Sequence, residues 1–225
     1  LVDFNVSYES AKAKGNELGL LVVRGVEITR GKLGDYNALF TKDNNTIYST
    51  DDAQTIRNAR AQGAIITHNH PGWERTSTDY TEFEKKIYAE GLIDGIEVAN
   101  NMTFYPPAVR RAIEKRLYMV AATDTHIPTY GLFKDLGFFR TMTFILAKEN
   151  TLTAIREALE ARRTLGYCGG NIIGEEKLLQ DLFYASTRSK LVSEDSKGRC
   201  TYMVTNLSSI PYTLYMGKGS YELPA

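Results

Sequence analysis

The sequence is poor in several features that would identify a chemistry directly. Its 225 residues include two cysteines, Cys168 and Cys200, which form no CxxC pair and no metal-ligand spacing with a histidine. No apolar run approaches the roughly 20 residues that a membrane-spanning helix needs. Lys and Arg number 27 and Asp and Glu also number 27, so no global field favours a nucleic-acid backbone. These absences predict a soluble chain with no disulfide framework and no membrane partner, and the net charge gives no support for a nucleic-acid partner.

Several common catalytic signatures are also missing. No Walker-type glycine loop, GxGxxG or GxSxG occurs, which argues against nucleotide-fold kinases, Rossmann oxidoreductases and serine hydrolases. The start is amphipathic and shows no signal peptide. Because Leu1 is not Met, we expect that residues preceding it are missing from this sequence. The compartment stays undetermined, with the cytoplasm slightly favoured, and the sequence does not indicate an oligomeric state.

Short apolar segments alternate with amphipathic ones along most of the chain. The pattern predicts helices over 6–18, 52–62, 80–90, 107–115 and 151–163, and strands over 20–23, 64–67, 95–98, 118–122 and 141–147. Strands that alternate with helices in this way indicate an α/β fold with βα units around a parallel sheet or barrel. The pattern changes to an antiparallel, β-rich extension over 171–225, so we predict a first domain over 1–170.

The three histidines of the chain lie in two short polar segments, each at the end of a predicted strand. His68 and His70 belong to THNHPG, while His126 follows Asp124 in ATDTH. In an extended segment, residues i and i+2 point to the same side, so both members of each pair could reach one point. Imidazole together with carboxylate suits Zn, Mn or Fe. The sequence therefore predicts a divalent-metal site that also takes Glu27 from a third strand end.

The remaining candidates have two interpretations each. Arg24 and Arg30 flank Glu27 and are predicted to hold a phosphate through bidentate contacts, or else to be solvated charges. His68 is either a ligand, an interior residue or a hydrogen-bond donor behind the ligands. Glu97 follows another strand and either binds metal or hydrogen-bonds, and Trp73 either packs or stacks on a ligand.

Five motifs, in order, resemble the PHP family, the polymerase and histidinol phosphatase superfamily of metal-dependent phosphoesterases. They are RGVEITR, GDYNALF, ITHNHPGW, DGIEVANN and AATDTH, and they lie between about Gly19 and Gly166. The resemblance implies a distorted (β/α)7 barrel that binds up to three divalent ions and cleaves phosphate esters. It assigns Glu27, His70, Asp124 and His126 as metal ligands.

Two departures from the family pattern affect this assignment. The N-terminal H-x-H segment of the family does not occur, and we expect it, with its strands, upstream of Leu1. Asp35 in GDYNALF takes a position where the family usually has a histidine, so it either coordinates through oxygen or one metal position is lost. His68 and Asp35 are accordingly predicted as assisting catalytic residues.

The leading hypothesis is a metal-dependent phosphoesterase that acts on a small phosphorylated substrate. Two alternatives remain open at this point. One is a catalytically degenerate PHP-like module that binds or scaffolds, which the missing H-x-H and Asp35 would favour. The other is an amidohydrolase-like metal hydrolase, which would normally need a metal-bridging lysine for which the sequence offers no compelling candidate.

Overall fold

A computed structural model describes residues 3–73, 75, 77–128, 133, 136–217 and 219–225. The helices are α1 Val6–Leu18, α2 Asp52–Ala61, α3 Glu82–Ala89, α4 Pro106–Lys115, α5 Leu152–Glu160 and α6 Glu176–Ser186. The strands are β1 Gly25–Thr29, β2 Asp35–Leu39, β3 Ile65–His68, β4 Gly95–Asn100, β5 Thr103–Phe104, β6 Tyr118–Ala122, β7 Met142–Ile145, β8 Thr164–Cys168, β9 Asn171–Ile173, β10 Thr187–Glu194, β11 Cys200–Asn206, β12 Tyr212–Met216 and β13 Gly219–Leu223. Within the described residues, no helix combines the length and apolar character that a membrane crossing requires.

The N-terminal segment confirms the predicted helix and corrects the predicted strand. Helix α1 ends at Gly19, whose backbone is left-handed, as the sequence predicts. The strand predicted over 20–23 is wrong, because the first strand starts later, at Gly25. Its partner β2 ends at Leu39, opposite Gly25, and the pairing stops after a hydrogen bond from the Phe40 N–H to the Arg24 carbonyl. Leu20 is 61% exposed instead of buried.

The main sheet is mixed. Strands β1, β2 and β3 form an antiparallel meander, β3, β4 and β6 run parallel, and β5 pairs antiparallel with β4. The prediction of parallel βα units holds for β3, β4 and β6. It is wrong for the strand predicted over 141–147, because β7 pairs antiparallel with β8. Strands β1 and β2 are also antiparallel, since only the short turn Gly31–Leu33 joins them and a parallel connection needs a far longer crossover. The described strands do not close a barrel, so the fold is a mixed α/β fold.

The helices between the strands cover the sheet and begin at recognisable caps. The Asp51 side chain accepts from Gln54 N at the start of α2, and Thr81 forms a capping box with Glu84 at the start of α3. Pro106 occupies the first turn of α4, where its missing N–H costs nothing. The core between these helices and the sheet includes Ile56, Ile66, Ile87, Ile96, Val98 and Ala112.

Gly95 allows β4 and β6 to lie against each other. It pairs with Tyr118, and a Cβ at Gly95 would overlap the Tyr118 ring, which is itself buried. Substitution Gly95→Ala is therefore expected to lower the free energy of unfolding by about 1–3 kcal/mol, the usual cost of overpacking a core. Urea denaturation measures this effect. An unchanged midpoint would mean that the ring moves aside without cost.

A second, three-stranded antiparallel sheet of β7, β8 and β9 completes the first of two compact units, Leu1–Glu175. Because β9 pairs with β8, this unit extends past residue 170, where the sequence pattern placed the boundary. The second unit, Glu176–Ala225, contains α6 and two antiparallel hairpins, β10–β11 and β12–β13.

Candidate metal centre

The register of the β1–β2 hairpin places two carboxylates on one face. Glu27 lies opposite Asn37, and Asp35 lies opposite Thr29, so Glu27 and Asp35 are diagonal neighbours on the same side of the sheet. The other face buries Ile28 in the core, which fixes the register because a slip of one residue would expose it. Apolar patterning of the hairpin therefore determines where its acidic side chains meet.

The end of β3 adds an imidazole to these carboxylates. Ligand atoms of Glu27, Asp35 and His70 all lie within 4.8 Å of one another. The Nε2 atom of His70 is 3.7 Å from Asp35 Oδ2. Two oxygens and one nitrogen at this spacing form the cluster, and we call these three residues the β1–β3 cluster.

An unusual backbone conformation at His70 brings its side chain into the cluster. Strict alternation along β3 would place His68 and His70 on the same side, and His68 points to the core, opposite Tyr36. The chain leaves the extended conformation after β3, and His70 has φ 23°, a region that non-glycine residues rarely adopt. This strained turn redirects the imidazole, as is frequent at functional sites.

Each member of the β1–β3 cluster forms a hydrogen bond with a neighbour. Asn69 Nδ2 donates to Glu27 Oε1 at 2.8 Å, and the Arg30 N–H donates to Asp35 Oδ1 at 3.0 Å. The backbone N–H of His70 donates to Glu97 Oε2 at 2.7 Å. Such supporting contacts fix ligand orientation in metal sites.

Asp124 and His126 lie beside the cluster. Asp124 Oδ2 is 3.9 Å from His70 Nε2, and Asn100 Nδ2 donates to the same oxygen at 3.3 Å. His126 Nε2 is 3.4 Å from Asp124 Oδ1, and its side chain is 87% exposed. The structure thus brings Asp124 next to His70 and leaves His126 on the solvent side of Asp124.

Glu97 is a buried hydrogen-bond acceptor beneath the cluster. Its Oε2 atom accepts from the His70 N–H and, at 3.0 Å, from Asn100 Nδ2. Burial raises the pKa of Glu97 to about 7, and the nearby Asp124 carboxylate adds to the rise. A register shift in β4 between Glu97 and Ala99 aims this side chain at the turn that carries His70.

His68 lies outside the β1–β3 cluster, so the expected convergence of the H-x-H pair is not observed. Its fully buried ring stacks on Tyr36 with 5.0 Å between centroids, and Nδ1 is 2.9 Å from the Tyr88 hydroxyl. Burial lowers the pKa of His68, because a charged imidazole is poorly solvated there. His68 Nε2 is 3.3 Å from Glu84 Oε1 but not in hydrogen-bond geometry.

The structure does not bring Arg24 or Arg30 to the cluster through their side chains. The Arg24 guanidinium is 2.5 Å from Glu9 and also donates to the backbone carbonyl of Lys42. Arg30 Nε lies 3.2 Å from Asp52 Oδ1 on α2. Both charges are therefore engaged in fixing neighbouring segments.

A cavity of about 390 Å³ opens beside the cluster. Its described lining residues are Thr29, Gly31, Lys32, Gly34, Asp35, His68, His70, Pro71, Trp73 and Arg75. Asp35 and His70 belong to both the cavity and the β1–β3 cluster, so a molecule in the cavity would lie against the cluster.

Sequence reasoning missed Asn69 and the ion pair that the buried Glu84 forms with Arg75. Asn69 lies between two histidines, and only the turn after β3 shows that it supports Glu27. Glu84 is recognisable in the sequence as the last residue of the T-x-x-E capping box starting at Thr81. Its second contact, 3.0 Å from Arg75 Nη2, joins segments that the sequence does not show to be adjacent.

The donor set of the β1–β3 cluster fits a divalent ion. Carboxylate and imidazole donors together suit Zn, Mn or Fe, and three protein donors leave coordination positions for a substrate. The hydrogen bonds to Glu27 and Asp35 leave the second oxygen of each carboxylate for a metal.

The chain is similar to solved structures, and one of them matches it over its whole length. A crystal structure from Bacteroides vulgatus, of a two-domain protein containing a predicted PHP-like metal-dependent phosphoesterase, is 33% identical to this chain with a TM-score of 0.90. The match covers 100% of this chain and 69% of that one. No protein-family model matches the chain. No curated protein matches it either.

Proposed function

Because this chain belongs to the family of PHP-like metal-dependent phosphoesterases, we propose that it hydrolyses a phosphate ester of a small molecule. The observation that carries the proposal is the β1–β3 cluster, in which Glu27, Asp35 and His70 offer ligand atoms within 4.8 Å of one another. Asp124, 3.9 Å from His70, extends the donor set and would serve a second ion. Manganese, zinc or iron matches these donors.

Divalent ions held here would offset the negative charge of the phosphate and lower the pKa of a nearby water molecule, which makes that water a nucleophile near neutral pH. The residues of the chain supply the geometry for this chemistry. Asn69 holds the Glu27 carboxylate, and Glu97 holds the turn at His70. Preorganised groups of this kind need no rearrangement as charge develops in the transition state.

His126 occupies the position best suited to move protons between the cluster and solvent. Its imidazole is exposed and lies 3.4 Å from the Asp124 carboxylate. An imidazole can accept a proton and give it to a departing alkoxide. In the proposed reaction, therefore, Asp124 orients His126 while the β1–β3 cluster binds the phosphate.

Metal removal and restoration test the proposal. The purified chain, incubated with Mn²⁺ or Zn²⁺, is expected to hydrolyse phenyl phosphate, to lose activity on chelation and to regain it when metal is restored. Elemental analysis gives the number of ions per chain alongside the rates. Absence of turnover with every metal would overturn the proposed function.

The same experiment separates the two other functions that the sequence leaves open. Stoichiometric metal binding without hydrolysis would indicate a degenerate module that binds or scaffolds. Turnover of amides with no turnover of phosphate esters would indicate amidohydrolase-like chemistry. Hydrolysis of phenyl phosphate with retention of amides supports the phosphoesterase.

A further inference from the structure

The cavity beside the β1–β3 cluster has a chemical character of its own. Among the described residues that line it, Asp35 is the only acidic one, and its carboxylate belongs to the cluster. The other charged side chains are the cations Lys32 and Arg75. Away from the cluster, the lining is therefore positively charged.

The indole of Trp73 lines the same cavity. It is the single tryptophan of the chain, and it is 60% exposed although it adjoins a binding site. Its ring packs edge-on to His70, with 5.9 Å between centroids, so a face of the indole remains open. A large exposed aromatic surface next to a cluster of metal-binding residues favours stacking with a flat ligand.

Gly34 and His68 form a crowded side of the cavity. Gly34 has φ 95°, and a Cβ there would lie 2.9 Å from the Tyr36 hydroxyl and 3.4 Å from His68 Nε2. His68 is fully buried, and its Nε2 atom lies 3.3 Å from Glu84 Oε1, outside hydrogen-bond geometry. A residue with a side chain at position 34 would therefore crowd this side of the cavity.

Arg75 is held in place by contacts with Pro71 and Glu84. Its Nη2 atom donates to the Pro71 carbonyl at 2.5 Å and lies 3.0 Å from Glu84 Oε1. Glu84 balances the Arg75 charge, which leaves Lys32 as the cation best placed to bind an additional anion. A lysine binds an oxyanion as a flexible point charge.

We propose that this cavity binds the leaving-group half of the substrate, and that this half carries a flat ring and a second oxyanion. The ring stacks on Trp73, the oxyanion pairs with Lys32, and the phosphate to be cleaved faces Asp35 and His70. The inference rests on the proposed function for the orientation of the phosphate. The second oxyanion is a carboxylate or a phosphate, since both are recognised by the same cation.

The tryptophan supplies a direct measurement, because ligand stacking on Trp73 quenches the only indole fluorescence of the chain. Four non-hydrolysable probes are titrated with Zn²⁺ and again without it: methylphosphonate, phenylphosphonate, 4-carboxyphenylphosphonate and 1,4-phenylenebisphosphonate. We expect saturable quenching that is weakest for methylphosphonate, stronger for phenylphosphonate and strongest for the two probes with a second anion. The stronger of those two identifies the oxyanion as carboxylate or phosphate.

Variant Lys32→Gln is expected to weaken binding of the two probes that carry a second acidic group about tenfold, to the level of phenylphosphonate. The reason is that it removes one charge-assisted contact. Lys148→Gln, which changes an exposed lysine outside the cavity, is the matched control and leaves all affinities unchanged. Trp73→Ala, followed by calorimetry, removes the advantage of phenylphosphonate over methylphosphonate. Equal affinity for all four probes, or an unaltered affinity in Lys32→Gln, overturns the inference.

These results are independent of the test of hydrolysis. If the chain hydrolyses phenyl phosphate but binds the four probes alike, the proposed function stands and the cavity assignment fails. If the probes bind in the expected order but no ester is hydrolysed with any metal, the cavity assignment stands and the proposed function fails.

Discussion

Substitution His70→Ala is expected to lower kcat/KM for phenyl phosphate about 1,000-fold. The imidazole is the only nitrogen donor of the β1–β3 cluster, and its loss leaves Glu27 and Asp35 to hold the ion alone. Metal ions contribute several kcal/mol of charge stabilisation to a phosphoryl transition state, and each tenfold in rate corresponds to about 1.4 kcal/mol. Steady-state kinetics with saturating Mn²⁺, together with metal content by elemental analysis, measures the effect.

Two further variants make this result interpretable. Because His70 has a positive φ, His70→Asn keeps a residue that tolerates this backbone and guards against misfolding. It is expected to lose activity to a similar degree with an unchanged thermal midpoint. Glu17→Ala removes an exposed carboxylate of α1 that pairs with Lys14, and it should retain full activity. Normal turnover by folded, metal-saturated His70→Ala would show that the cluster is not the metal centre.

Substitution Glu84→Ala is expected to lower the free energy of unfolding by about 3 kcal/mol. The Glu84 side chain is fully buried, accepts from the Thr81 N–H at 2.9 Å and balances the Arg75 guanidinium. Removing Glu84 leaves the half-buried Arg75 charge without its partner, and the capping box loses the hydrogen bond from the Thr81 N–H to the Glu84 side chain. Urea denaturation monitored by circular dichroism gives the change in stability.

Helix α3 offers a matched control for this variant. Glu82 lies in the same first turn, but its side chain is 88% exposed and pairs with the exposed Lys85. Glu82→Ala should therefore change stability by no more than about 0.5 kcal/mol. Glu84→Gln, which keeps the shape and an acceptor for the Thr81 N–H, should fall between the two. Equal effects of the Glu82 and Glu84 substitutions would mean that burial of Glu84 has no energetic consequence.

Most helices of the first unit can be predicted from the sequence, because the residues that begin and end them lie within a few positions of the helix. The signals that start or end a helix lie within one helical turn of it: the Asp51 cap, the left-handed Gly19 and the proline at the start of α4. The structure confirms the three helices that these residues begin or end. The strand predicted over 20–23 fails for a different reason. Apolar character predicts burial of a strand but does not show whether a partner strand extends that far.

The placement of the candidate ligands is less accessible from sequence. Polar residues at strand ends predict that Glu27, His70 and Asp124 lie near one another, and the structure places them so. His68 and His70 point to different sites because the chain leaves the extended conformation after β3, where His70 has a positive φ. The alternation of side chains along a strand does not predict this turn. The burial of Glu84 depends on a contact with Arg75 that only the folded chain forms.

The position of the β1–β3 cluster within the chain has a consequence for folding. Glu27 and Asp35 belong to the tightly connected β1–β2 hairpin, whereas His70 follows β3, which joins the hairpin only after the connection 40–64 that contains α2. Contacts that are local in sequence form fast, so the two carboxylates are expected to meet before the imidazole reaches them. A divalent ion bound by all three residues would thus link the hairpin to β3 and stabilise the pairing that is more distant in sequence.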